Sequence, residues 1–241
     1  MSDMKTLLVL HGWGCNADVY ASLTQHLSKN YNVFLPELPG FGETPEPSTA
    51  WGVSDYADYI VEYCKTNAVQ PDVILCHSLG CRIAIKLLAG EVNPSLATAN
   101  PPLVVFTGGA GIKPKSKPSY SLRTRIFKLK KLFLKPFPKA MERLRQRYGS
   151  ADYRAASPIM RECLVKIVNE DLTPLLPLIK EEVLLIWGGK DDSTPLTDGK
   201  LMEKLIPNAG LAVMPNAGHY AFLEQPQLFC NILDSYLGGA Q

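Results

Sequence analysis

Three residues whose types cooperate in acyl transfer occur in the order Ser, Asp, His: Ser78, Asp191 and His219. A serine hydroxyl is a poor nucleophile at neutral pH. It needs a base to take its proton, an acid to orient that base, and donors for the oxyanion that forms. Ser78 lies in Val73-Ile74-Leu75-Cys76-His77-Ser78-Leu79-Gly80-Cys81-Arg82-Ile83-Ala84-Ile85, with a β-branched run leading in and a helix-forming run leading out. A sharp strand-to-helix turn there thrusts the hydroxyl toward an incoming substrate. The plainer alternative is a serine that caps the following helix with its side-chain oxygen.

His219, in Asn216-Ala217-Gly218-His219-Tyr220, is the candidate base. The chain has four histidines, and the other three fit other roles. His11 precedes a glycine turn and is expected to bond backbone. His77 adjoins the serine, with its side chain expected to point away from the reactive face. His26 sits in a helical stretch. The candidate acid is Asp191, in Trp187-Gly188-Gly189-Lys190-Asp191-Asp192-Ser193-Thr194-Pro195, where it can hold the imidazole in its useful tautomer. Asp192 is adjacent with the same chemistry; Asp191 is favoured. The oxyanion hole is expected to use two backbone N–H groups, from Leu79 directly after the nucleophile and from Trp13 between Gly12 and Gly14. Glycines on both sides let the backbone approach closely.

Elements must bring these residues together. Strands are expected at Thr6–Leu10, Tyr31–Leu35, Asp72–Cys76, Leu103–Thr107, Val183–Trp187 and Gly210–Met214. Helices are expected near 17–29, 53–67, 79–90, 196–206 and 226–237. Alternation of this kind gives an α/β fold: a doubly wound, mostly parallel sheet of about six strands with helices on both faces. Sites in such sheets lie at the carboxyl ends of the strands, and His11, Ser78, Asp191 and His219 all follow strand ends. Residues 108–180 break the rhythm and are too long for a connecting loop. They read as a helical cap inserted into a core of 1–107 and 181–241, not as an independent domain.

The chain resembles the α/β-hydrolase superfamily over nearly its whole length. The matching stretches are His11-Gly12-Trp13-Gly14, Leu38-Pro39-Gly40-Phe41-Gly42, Cys76-His77-Ser78-Leu79-Gly80, Trp187-Gly188-Gly189-Lys190-Asp191, and Gly218-His219 with Glu224-Gln225-Pro226. The resemblance implies Ser78, Asp191 and His219 as a catalytic triad and 108–180 as the family's helical cap. Two positions depart from the pattern. Cys76 stands where the elbow usually begins with glycine, and Cys81 where glycine or alanine is common. The first strand also starts too early for the antiparallel hairpin that opens many members.

Composition narrows the setting. The chain has 241 residues, is 46% hydrophobic and holds six scattered cysteines with no CxxC pair. Mean hydropathy is −0.01. These values suit one soluble globular domain with packed free thiols. No metal or cofactor is implied. The N-terminus carries no secretory pattern, so a cytoplasmic location is expected. Charge is split: residues 113–154 hold fourteen Lys or Arg and two acids, a net +12, while the rest carries 11 basic and 21 acidic residues, a net −10. Three readings compete for the basic segment. It is a solvated cap, a docking face for an acidic carrier such as an acyl carrier protein, or a contact for anionic lipid, since Ile126, Phe127, Leu129, Leu132, Phe133 and Leu134 alternate with lysines. No nucleic-acid recognition motif is present. The cap and the His-Gly-Trp-Gly turn are also similar, more weakly, to pimeloyl-[acyl-carrier protein] methyl ester esterases.

The expected function is a serine esterase acting on a small acyl ester through an acyl-enzyme. The same triad would serve a thioester, a lactone or an activated carbon–carbon bond. A different class, a ligand-binding or membrane-associated protein on the same fold, would have no need of the full triad.

Overall fold

A computed structural model describes residues 4–92, 100–113, 140 and 149–239. Among them are six strands: β1 (Thr6–Leu10), β2 (Asn32–Phe34), β3 (Val73–His77), β4 (Leu103–Thr107), β5 (Val183–Gly188) and β6 (Ala209–Met214). They form one sheet in the order β2-β1-β3-β4-β5-β6, and every pairing is parallel.

The sequence of the central strands explains their place. Nearly every residue of β1, β3 and β4 is buried, as unbroken apolar runs are in a sheet covered on both faces. Leu8, Leu10, Ile74, Cys76, Val104 and Phe106 point into one core. Leu7, Val9, Val73, Leu75 and Val105 point into the other, the two-residue alternation of a strand. The edge strands β2 and β6 are only partly buried. β2 is shorter than its apolar run suggests, because it pairs with β1 alone, over three residues.

Helices α1 (Ala21–Leu27), α2 (Val53–Thr66) and α3 (Leu79–Leu88) follow in the first half. The stretch 17–29 begins with a 3-10 turn, Ala17–Tyr20, before α1. Helix α3 lies directly on β1: a Cβ on Gly80 would come 2.0 Å from the Leu10 carbonyl oxygen. The chain leaves β1 toward β2 on one side and reaches β3 on the other. The turns after β1 and β3 therefore open at the topological switch point, where such sheets bind ligands.

Of the 108–180 segment, the described part holds α4 (Ala151–Ala155), α5 (Pro158–Asn169) and a 3-10 turn, Thr173–Leu178. Ser150 and Ser157 cap the two helices by accepting from the N–H groups of Tyr153 and Met160. Helix α5 is tied to the loop after β2. Ser157 donates to Glu46 at 2.8 Å, Trp51 N–H donates to Cys163 Sγ at 3.1 Å, and Lys166 donates to the Ala50 carbonyl. Where the segment rejoins the core, Leu172 N–H donates to the Gly111 carbonyl, Arg82 donates to the Glu170 carbonyl, and Lys86 pairs with the Glu170 carboxylate. Most of the basic run of 113–154, including 114–139 and 141–148, lies outside the described residues.

The second half of the core adds α6 (Leu196–Leu205), α7 (Ala221–Glu224) and α8 (Pro226–Gly239). Five of the six cysteines are buried and all are free. Among the described residues no helix is long and apolar enough to cross a membrane.

Candidate active site

Ser78 sits between β3 and α3 with φ 50° and ψ −107°. The only other non-glycine residue at positive φ among those described is Ala68. Such backbone costs about 1–3 kcal/mol and persists only where its surroundings enforce it. Here they do. Ser78 N–H donates to the Thr107 carbonyl, and its own carbonyl accepts from Cys81 and Ala110. Its side chain makes no capping bond to α3, so the hydroxyl is left for something else. Cys76 and Cys81 flank the turn as fully buried side chains. Burial pushes both thiols well up, so they pack as small apolar groups and are inert.

His219 Nδ1–H donates to Asp191 Oδ2 at 2.8 Å. The Asp191 carboxylate is fully enclosed. It also accepts from the N–H groups of Ser193 and Thr194 and from the Thr194 hydroxyl, each at 2.8 Å. Burial alone would raise its pKa; the bonds from His219 and Thr194 outweigh that and hold it below its ordinary value. Asp192 is exposed, and of the two adjacent acids it is Asp191 that bonds the ring. With Nδ1–H given to the carboxylate, Nε2 of His219 is left as the basic nitrogen.

The peptide around His219 is held as firmly as its ring. Glu224 accepts from Gly218 N–H at 2.7 Å and from Tyr220 N–H at 3.2 Å. The loop crosses the end of β4, where a Cβ on Gly108 would come 3.0 Å from the His219 carbonyl oxygen. His77 is fully buried, and its ring lies 4.8 Å from the His219 ring. Its side chain is expected to point away from the reactive face; it is sealed from solvent, yet its ring lies against the candidate base. Motif reading missed both Glu224 and His77 as supports of this loop. The one available signal was Glu224-Gln225-Pro226 itself, a carboxylate closely following His219.

After β1, His11 behaves as expected: Nδ1–H donates to the Gly12 carbonyl and Nε2 accepts from Leu38 N–H. Trp13 packs edge-on against Phe41, centroids 4.9 Å apart. A Cβ on Gly12 would come 3.3 Å from Ser78 Cβ, which seats this turn beside the serine. Among the described residues neither Trp13 N–H nor Leu79 N–H donates to any acceptor. Leu79 opens α3, where the first N–H groups have no partner within the helix. Among the described residues the arrangement offers a hydroxyl with no hydrogen bond, a carboxylate-held imidazole and two unpartnered N–H groups. Among the described residues no three His, Cys, Asp or Glu side chains converge as a metal site would require.

Comparison with known proteins places this geometry in context. The sequence pattern of the alpha/beta hydrolase family matches residues 7–232. The chain is 27% identical to a pimeloyl-[acyl-carrier protein] methyl ester esterase of Aeromonas hydrophila, over 96% of this chain and 95% of that one. An esterase from Exiguobacterium antarcticum superposes with a TM-score of 0.73 at 23% identity, covering 97% of this chain and 92% of that one. A bacterial membrane phospholipase A superposes with a TM-score of 0.74, also at 23% identity, covering 99% and 80%. The two structural likenesses concern the fold.

Proposed function

We propose, for a chain that belongs to the alpha/beta hydrolase family, that Ser78, Asp191 and His219 hydrolyse a carboxylic ester through an acyl-enzyme. The chain is an α/β-fold hydrolase whose curated relatives are named esterases. The observation that carries the reading is the 2.8 Å bond between His219 and an enclosed Asp191, at the sheet end where the Ser78 hydroxyl makes no capping bond to its own helix.

In this reading His219 Nε2 takes the Ser78 proton as Oγ attacks the acyl carbon. The carbonyl oxygen becomes an oxyanion between the N–H groups of Trp13 and Leu79. The imidazolium, stabilised by Asp191, passes its proton to the departing alkoxide, and the alcohol leaves. Water then gives a proton to His219 while its oxygen attacks the acyl carbon. Collapse returns the proton to Ser78 Oγ and releases the acid. The chemistry needs no metal or cofactor. Residues 108–180 serve as the cap of the core formed by 1–107 and 181–241.

Two observations favour an ester carried by an acidic partner: the name of the Aeromonas relative and the net +12 of residues 113–154. A single-sign segment raises the encounter rate with opposite charge, and salt removes that gain.

The test is turnover of short-chain nitrophenyl esters by wild type and Ser78→Ala. Loss in the variant is expected; equal turnover would sink the reading. Labelling of Ser78 by a fluorophosphonate separates an enzyme from a binding protein on the same fold. A panel of thioesters, lactones and carbon–carbon substrates separates the reactions that share the triad. For the carrier, kcat/KM on a carrier-bound ester should fall with added salt while that on a free ester stays level.

A further inference from the structure

We infer that Tyr20 and His77 form a buried positioning relay that fixes the candidate oxyanion turn and the loop of the candidate base relative to each other. The inference rests on the assignment of Ser78, Asp191 and His219 above.

Three bonds join four distant parts of the chain. Gly12 N–H donates to the Tyr20 hydroxyl at 3.1 Å. The Tyr20 hydroxyl and His77 Nδ1 are 3.0 Å apart, and His77 Nε2 and the His219 carbonyl oxygen are 3.2 Å apart. The two ends set the direction. An amide N–H can only donate and a carbonyl oxygen can only accept. His77 therefore carries its proton on Nε2, Tyr20 donates to Nδ1, and each donor finds one acceptor. Burial pushes His77 down to about 3, so the neutral tautomer this pattern requires persists at any working pH.

Packing makes the relay stiff. Tyr20 and His77 are fully buried. Tyr20 is stacked on Phe222 at 4.9 Å, and His77 meets Tyr220 and Phe222 at 5.0 and 5.2 Å. The ring of His77 also fills the space beside Gly12, where a Cβ would come 2.6 Å from Nδ1. The glycine that precedes Trp13 is thus matched to the histidine that precedes Ser78.

The consequence is geometric. Asp191 holds the ring of His219 and Glu224 holds the N–H groups on either side of it; His77 holds the remaining group, the carbonyl. The same side chain bears on the turn that presents Trp13 N–H. One interior residue, adjacent in sequence to the nucleophile, thereby sets the span from oxyanion donor to base. Displacements of about 1 Å in such a span cost up to about 10²-fold in rate. A buried histidine that only filled space would set stability and leave kcat alone.

The experiment compares wild type, Ser78→Ala, Tyr20→Phe, His77→Gln and His77→Leu on one nitrophenyl ester, with circular dichroism to confirm folding. Tyr20→Phe keeps the stacked ring and removes only the hydroxyl. It should lower kcat by about tenfold with KM within about twofold. His77→Gln offers an amide N–H near the Nε2 position and should retain more kcat than His77→Leu. Wild-type kcat in folded Tyr20→Phe would overturn the relay, as would equal losses in Gln and Leu. If the His77 variants fail to fold, Tyr20→Phe decides alone. Full activity in Ser78→Ala would defeat the triad assignment itself. An inactive Ser78→Ala beside an unimpaired Tyr20→Phe would defeat the relay only.

Discussion

The loops at the carboxyl ends of the strands and the described part of the 108–180 segment are held by different kinds of polar contact. Around Ser78 the polar groups are paired deep in the protein: four donors on the enclosed Asp191 carboxylate, and His77 between Tyr20 and the His219 carbonyl. Helix α5 buries Met160, Cys163 and Ile167 in the core, but its side-chain hydrogen bonds to the loop after β2 run mostly over the surface, through Ser157 to Glu46 and Lys166 to Ala50. Removing one partner from a buried pair leaves the other desolvated and unsatisfied, at about 1–3 kcal/mol or more for charged groups. Exposed pairs are worth a fraction of that. The strand-end loops should therefore tolerate little change. The surface contacts of α5 should tolerate more.

The largest effect should come from the carboxylate. Asp191→Asn keeps the shape but leaves His219 free to adopt the wrong tautomer, with kcat for a small ester expected to fall about 10⁴-fold. Asp192→Asn, on an exposed side chain with no bond to the ring, should stay within about twofold. Comparable losses in both would break the contrast between buried pairing and surface chemistry. Gly80→Ala comes next. Its Cβ would sit 2.0 Å from a β1 carbonyl oxygen, which is backbone and cannot swing aside. A stability loss of about 3 kcal/mol is expected from the forced separation of α3 and β1, read from the urea midpoint.

What could be read beforehand follows the same division. β4 lies at Leu103–Thr107 and β1 at Thr6–Leu10, as their apolar runs suggest. A strand buried on both faces announces itself by composition alone, and β2 runs short because edge pairing is not written in its own residues. Ser78, Asp191 and His219 follow β3, β5 and β6 because each lies in a short local motif. Tyr20, His77 and Glu224 escaped as supports. The Tyr20–His77 and His77–His219 contacts span 57 and 142 residues, and only packing reveals that Gly12 is small because an imidazole lies against it. The basic run of 113–154 is legible as charge, but charge alone names no partner.

Acid sharpens the contrast further. Unfolded His77 takes up a proton below its ordinary 6.5, whereas the folded protein resists until about 3. Unfolding is then coupled to proton uptake, so this contribution is complete above pH 6.5 and is lost as pH falls toward 3. Each pH unit within that window costs about 1.4 kcal/mol. Burial also lowers His11, which acts with the same sign. Asp191, held below its ordinary 3.8, adds a further loss that begins only below about pH 3.8, as the unfolded carboxyl is protonated first. Urea midpoints measured from pH 7.5 to 4.5 should therefore fall in wild type and fall less steeply in His77→Gln. Parallel slopes would mean that His77 titrates normally and is not sealed in.

The smallest effect belongs to α5. Ser157→Ala removes both the cap of α5 and the bond to Glu46. A lost cap costs about 1 kcal/mol, and the exposed bond adds little. Met160, Cys163 and Ile167 would still anchor the helix in the core. A slightly lower urea midpoint with unchanged kcat on a nitrophenyl ester is therefore expected, because nothing Ser157 touches bears on Ser78 or His219. If kcat fell tenfold or more instead, α5 would be setting the geometry of the strand-end loops. The buried pairing of the loops and the surface contacts of α5 would then not be independent.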